Sequence, residues 1–341
     1  MPALLSLPLF LISLAVTLAA ARLFALRLDR LGVRFGFPEA LIGLLTAVAA
    51  DGPNVSSALF ALAKGAHDVG VGVLVGSNAF QLAAMIGLSA LLAGAVRLPR
   101  ETLALEGLVG LIITILAAVL LFGWLSPALT ALITALVVAP YLTLVIAGAP
   151  LLDRLHARRR QGRVAGPHSV VARLARALHE HPGPERGLDT SPNPTHHLLA
   201  LIVLDVALII AGSAGMVQTA LSLGADWHIS TTVLGVLILA PLTSLPNAVT
   251  AIRLGLAGRS AALVGETFNS NSINLAVGVI GPSLFVTFSA LTNIARQQVG
   301  WLLAITAVTL ALLANPKGMR RGGAAALVVL YFAFAVSTLV G

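Results

Sequence analysis

The chain has no cysteine, few charges and few aromatic residues. None of its 341 residues is Cys, 10% are charged and 5% are aromatic. The first absence excludes disulfides and thiolate metal sites. The second excludes an ordinary soluble domain, in which about a quarter of residues carry charge. What fills the chain is apolar: 58% of residues are hydrophobic and the mean hydropathy is +0.97. This is the composition of an integral, multi-pass membrane protein, with the lipid bilayer as its first partner.

The apolar material falls into blocks long enough to cross a bilayer as helix. Ten are read, at about 4–28, 37–63, 68–95, 103–122, 126–149, 197–223, 231–256, 261–286, 297–314 and 322–340. The fold class expected is all-α, with ten transmembrane helices, since hydrocarbon cannot satisfy open backbone groups. The formal net charge of +8 does not point to nucleic acid, because of where the basic residues lie. After spans 1, 3, 7 and 9 come Arg27, Arg30, Arg34, Arg97, Arg100, Arg253, Arg259, Lys317, Arg320 and Arg321. The loop after span 5 adds eight Arg, whereas the opposite side has only Lys64 and Arg296. This asymmetry puts the odd loops in the cytoplasm and both termini outside, in a bacterial plasma membrane. No basic segment precedes the first apolar run, so that run is read as a span and not as a cleaved leader.

Residues 151–196 form a cytoplasmic linker between two halves, 1–150 and 197–341. Within it, "HSVVARLARALHEH" (168–181) has the spacing of a short surface helix, and its His168, His179 and His181 are read as solvated.

The halves repeat. "DGPNVSSALFALAKG" (51–65) aligns with "SLPNAVTAIRLGLAG" (244–258) at an offset of 193 residues. Pro53 falls on Pro246, Asn54 on Asn247 and Gly65 on Gly258. Without a gap, Ser77-Asn78 falls on Ser270-Asn271. Each half has an odd number of spans, so the second copy enters the membrane from the opposite side. Such inverted repeats are typical of secondary transporters, whose sites lie at the midplane beside interrupted helices. Pro53 and Pro246 each remove a backbone donor, so a break is expected in both helices.

At these residues the chain resembles the sodium/calcium exchangers of the cation/calcium exchanger superfamily. That family has two α-repeats, each with a G-T-S-L-P-E-like motif followed by G-S-N-x-x-N/D. "LAPLTSLPNAVTA" (239–251) and "VGVLVGSNAFQLAAMIGLSALL" (71–92) are close matches, and "AVAADGPN" (47–54) and "VGETFNSNSIN" (264–274) are looser ones. The α-repeats span about 37–95 and 231–288. The resemblance implies an exchanger-like fold of two inverted five-helix halves. It also implies a secondary active cation antiporter working by alternating access at a midplane site. Its small and hydroxyl positions carry over as Ala47, Ser77, Ala240, Thr243, Ser244 and Ser270. Its glutamates do not: Asn54 and Asn247 stand there. Gln81 and Asn274 end the second motifs, and Ala50-Asp51 replaces a Thr-Ser pair.

Calcium takes six to eight oxygens, with carboxylates supplying charge. Four amides supply oxygen only, so altered ion specificity is expected. The charges expected at the site are Asp51, one turn before Asn54, and Glu266, which shares a helix face with Ser270 and Asn274. Asp205 is read as a structural partner of another helix, and Glu39 and Glu106 as reaching interfacial water near span ends. No cofactor is expected; sodium, calcium or protons are the transported ligands, and no fixed structural metal is expected. The alternatives are a monovalent cation/proton antiporter, or a membrane protein that kept the fold without transport. No nucleophile–base–orienter set is present, so an enzyme is not expected.

Overall fold

The computed structural model describes residues 3–37, 39–160, 194–288 and 291–340. The segment 168–181, with its three His, lies outside the described residues. The first half holds α1 (Ala3–Arg34), α2 (Glu39–Ala63), α3 (His67–Ala93), α4 (Arg100–Leu121) and α5 (Pro127–Arg160). The second holds α6 (Thr195–Asp226), α7 (Thr231–Thr243), α8 (Leu245–Leu256), α9 (Ser260–Leu275), α10 (Asn293–Leu313) and α11 (Arg321–Val340). Every expected span is therefore helical. Helix α5 runs past the expected boundary at 150, since "LLDRLHARRR" continues the helix beyond the apolar block.

Among the described residues seven of these helices are long and apolar enough to cross a membrane, and the bent pair α7–α8 brings the number to eight when its two arms are taken as one span. The two expected spans that fall short of that criterion are α2 and α9. Their apolar character is diluted by the polar residues that the repeat analysis singled out.

The expectation of two broken helices is half corrected. Helices α7 and α8 meet at a 52° bend. Ser244 leaves helical geometry there, with φ −87° and ψ 1°, and Pro246 opens the next helix. In the first repeat, by contrast, α2 is continuous through Pro53. A proline removes one donor, but the rest of the ladder and hydroxyl groups nearby can hold a membrane helix together. The carbonyl that loses its donor at Pro53 is that of Ala49, one turn back, and Ser56 adds a hydroxyl bond to the Gly52 carbonyl at 2.6 Å.

Inversion of the halves is visible in the packing. The first helices of the two halves, α1 and α6, lie antiparallel. Ser13 and Thr17 meet Gly212, Arg27 meets Asp205, and Arg34 meets Thr195. Residue numbers rise along one helix as they fall along the other. Two-residue strands, β1 (Ala95–Val96) and β2 (Met319–Arg320), pair antiparallel. They tie the loop after the third span to the loop after the ninth, which the charge asymmetry had put on one side of the membrane. Small residues set a close approach between α3 and α7. A Cβ at Gly76 would lie 2.6 Å from the Val236 carbonyl oxygen, so only glycine fits.

Asp205 is the structural partner that the sequence indicated. Its carboxylate, 1% exposed, pairs with Arg27 of α1, which also donates to the Leu201 carbonyl at 3.2 Å. Asp205→Asn leaves the guanidinium without its counter-charge. Arg27 retains some solvent access, so the expected loss is about 2 kcal/mol, below that of a fully buried pair. It should appear as a lower melting temperature in detergent, with transport per folded molecule unchanged.

Candidate functional site

The polar residues of the two repeats converge where α2, α3, α7, α8 and α9 meet. Asp51, Asn54, Ser77, Gln81, Thr243, Ser244 and Asn274 are fully buried, and Asn247 and Ser270 are 2% exposed. Asp51 is the hub. Its Oδ1 accepts hydrogen bonds from Asn247 Nδ2 at 2.7 Å, Ser270 Oγ at 2.6 Å and Asn54 Nδ2 at 3.3 Å. Asn247 Nδ2 also donates to Ser270 Oγ at 3.0 Å, and Ser270 Oγ lies 2.7 Å from Gln81 Oε1. Ser244 Oγ donates to Asn54 Oδ1 at 3.4 Å.

These contacts follow the repeat. Position 51 corresponds to 244, and 54 to 247. Asp51 meets Asn247, and Ser244 meets Asn54. The two contacts are one crossed contact made twice, as a two-fold relation requires. The same axis brings together residues that the sequence paired but did not assign to the site. Asn78 Nδ2 donates to the carbonyl of Asn271, its repeat mate, at 3.2 Å, and Asn274 Nδ2 donates to Asn78 Oδ1 at 3.0 Å. The exact Ser-Asn match between repeats was the signal that pointed to Asn78 and Asn271.

Local structure aims the amides. In α3 the backbone switches to π-helix over Phe80–Met85, and a π segment, Ala276–Ile280, continues directly from the end of α9. A π segment shifts side chains around the helix and is common at functional sites. Gln81 lies in the first of these, and Asn274 just before the second.

Not every expected residue joins the cluster. Ser77 donates to the Val73 carbonyl, and Thr243 to the Leu239 carbonyl at 2.8 Å, so both hydroxyls serve their own helices. Ala47 and Ala240 are buried and have no polar side chain to offer; Ala240 packs beside Gly76. Glu266 makes no hydrogen bond within the cluster, but it interacts electrostatically with Asp51, and its Oε2 is buried without a partner.

The electrostatics are unbalanced. All hydrogen-bond partners of Asp51 are neutral, and among the described residues no Lys or Arg reaches it. Asp51 Oδ2, Asn247 Oδ1, Asn271 Oδ1 and Asn274 Oδ1 are buried acceptors without donors. Buried polar groups are normally satisfied, so such a group of orphans calls for an explanation. These four are oxygens, the donor set that a hard cation accepts, and the cluster also holds one unpaired buried donor, Gln81 Nε2. No group of three or more His, Asp or Glu side chains assembles among the described residues, so amides and hydroxyls make up most of this set.

One expectation is corrected. Glu106 does not reach interfacial water. It is 6% exposed, and Tyr141 of α5 lies 3.2 Å from its Oε2. Tyr141 and Asn269, which lies 2.6 Å from the Tyr141 hydroxyl, were missed because their partners are distant in sequence. Glu39 has no described side chain.

Comparison with known proteins bears on both fold and class. The chain superposes on structures of the sodium-calcium exchanger NCX_Mj with a TM-score of 0.57 at 19% identity, covering 97% of each chain. It superposes on native YfkE with a TM-score of 0.64 at 16% identity, covering 97% of this chain and 92% of that one. These likenesses establish the fold. Among curated proteins no similar sequence was found. The family described as sodium/calcium exchanger protein matches residues 5–147 and 197–340, both halves without the linker, and the chain belongs to that family.

Proposed function

We propose that the chain is a secondary active cation antiporter whose transport site is the Asp51 cluster, opened in turn to each side of the membrane. The observation that carries this reading is a buried carboxylate shared by both repeats, with unpaired oxygens around it and, among the described residues, no Lys or Arg beside it. A desolvated carboxylate without a counter-charge is costly, and a bound cation removes that cost. Asp51 supplies charge. Ser270, Gln81, Asn247 and Asn54 supply neutral oxygens, and Glu266 adds a second charge at longer range. Two carboxylates balance one divalent or two monovalent ions. Amides at positions 54 and 247 remove charge from the site relative to the family's motif, which favours altered ion specificity. Competition of two ions for Asp51 supplies the coupling.

A second reading, exchange of a monovalent cation for a proton, is supported by Glu266. Its unpaired buried Oε2 near Asp51 offers a carboxyl that can take a proton when the cation leaves.

The deciding experiment is a flux panel in proteoliposomes, with sodium, potassium, calcium and proton gradients varied singly. Cation uptake driven by an opposing gradient is expected. Calcium uptake against sodium selects the first reading, and dependence on the pH gradient selects the second. Absence of flux for every cation would leave a membrane protein that kept the fold without transport.

A further inference from the structure

Glu106 lies outside the cation cluster, on the other flank of α9. It sits in a π-helical segment, Leu103–Gly107, at the start of α4. Its carboxylate faces the hydroxyl of Tyr141, 3.3 Å from Oε1 and 3.2 Å from Oε2. The same hydroxyl lies 2.6 Å from Asn269 Oδ1. Three oxygens therefore share one phenolic hydrogen. Glu106 and Tyr141 are each 6% exposed.

Hydrogen counting limits the arrangement. A tyrosine hydroxyl carries one hydrogen, and an ionised carboxylate carries none. The shortest contact, to Asn269, takes the phenolic hydrogen. The tyrosine oxygen then faces Glu106 as an acceptor. A hydrogen bond between them needs a hydrogen from Glu106, which has one only as the neutral acid.

The surroundings agree. From α5 the neighbour is Tyr141. From α9, Gly265 lies alongside Glu106 Oε1, and the titratable residue next to it, Glu266, is another acid. From α10, Leu310 packs against Gly107. Among the described residues no Lys or Arg pairs with Glu106.

We propose that Glu106 is a proton-binding site of the protein, distinct from the cation cluster, and that its proton decides whether Tyr141 anchors Asn269. While Glu106 holds its proton, it donates to Tyr141, and Tyr141 donates to Asn269. When the proton leaves for solvent, the carboxylate has no hydrogen to give. Tyr141 turns its hydroxyl to the charge, and the Asn269 carbonyl oxygen loses its donor. Asn269 precedes Ser270, whose hydroxyl touches Asp51. Residues 265 and 269 face Glu106 and Tyr141, and residues 266 and 270 face the cluster. Helix α9 is thus the common wall of the two sites.

The test has a readout that does not depend on transport. Infrared spectra of the purified protein near neutral pH are compared for wild type, Glu106→Gln and Tyr141→Phe. The difference between wild type and Glu106→Gln should show the loss of one protonated-carboxyl band. In Tyr141→Phe that band should move, because its acceptor is gone. No band lost in Glu106→Gln would show that Glu106 is ionised, and would overturn the proposal. If Glu106→Gln does not fold, an alkaline titration of wild type against Tyr141→Phe reads the same band. The anchoring step is read from flux against pH. Glu106→Gln keeps a hydrogen for Tyr141 at every pH, so it should lose the alkaline change in flux that wild type shows. Superimposable profiles would overturn that step.

Discussion

Replacing Asp51 with Asn is expected to cut cation-coupled flux by more than about a hundredfold while leaving the protein folded. Asp51 is the charge at the centre of the cluster, and a unit charge about 4 Å away contributes about 4 kcal/mol at an effective dielectric constant of 20. That corresponds to nearly three orders of magnitude in cation affinity. The amide keeps an oxygen that accepts from Asn247 and Ser270, as Asp51 Oδ1 does now. It also removes a buried charge that has no cationic partner. Stability in detergent without added cations should therefore stay level or rise, the reverse of its effect at Asp205, where the charge is paired with Arg27. Flux and thermal melting measured on the same preparation separate the two effects. Wild-type flux in Asp51→Asn would remove Asp51 from the transport site. Glu266→Gln should have a smaller effect on affinity, because Glu266 stands outside the hydrogen-bonded cluster.

The second large effect is expected from Asn247→Glu. In the structure Asn247 Nδ2 donates to Asp51 Oδ1 at 2.7 Å, so the amide now neutralises the contact that a second carboxylate would make repulsive. Two carboxylates about 4 Å apart repel by about 4 kcal/mol under the same dielectric conditions. A divalent cation between them turns that repulsion into two attractions and supplies the charge balance that calcium sites use. Calcium affinity should rise at least about tenfold, a gain of about 1.4 kcal/mol, while affinity for monovalent ions rises less. Without divalent ions the variant should melt at a lower temperature than wild type, and added calcium should restore it by mass action. Equilibrium calcium binding and calcium-dependent melting check both statements. An unchanged calcium affinity would mean that the oxygens around positions 51 and 247 cannot close on a divalent ion. Asn54→Glu should do less, since Asn54 Nδ2 lies 3.3 Å from Asp51 Oδ1, a longer contact than the 2.7 Å of Asn247.

Much of this molecule is legible in its sequence because a bilayer leaves few choices. Long apolar blocks must become helices when no water is present to satisfy the backbone. The odd number of spans per half, together with the match of Pro53, Asn54 and Ser77-Asn78 to Pro246, Asn247 and Ser270-Asn271, required inversion. It also brought the two sets of polar residues to one depth. Asp51 and the amides were legible as site candidates for the same reason: polar groups at mid-span are too costly to be incidental.

Other features depend on neighbours that a linear pattern does not name. Both repeats carry a proline at the matched position, yet α7–α8 bends at Ser244 while α2 runs through Pro53; the bent repeat carries a further proline, Pro241, where the first has Val48, so it loses two donors within two turns. Ser77 and Thr243 have the right residue type and position, but each turns its hydroxyl to its own helix backbone. Glu106 lies close to a span end in sequence, and only the approach of α5 and α9 encloses it with Tyr141 and Asn269. The sequence by itself determined the helices, their inversion and the polar residues at their centre. Tertiary structure decided which oxygens face one another, because hydrogen-bond partners more than a hundred residues apart are chosen by packing and not by spacing.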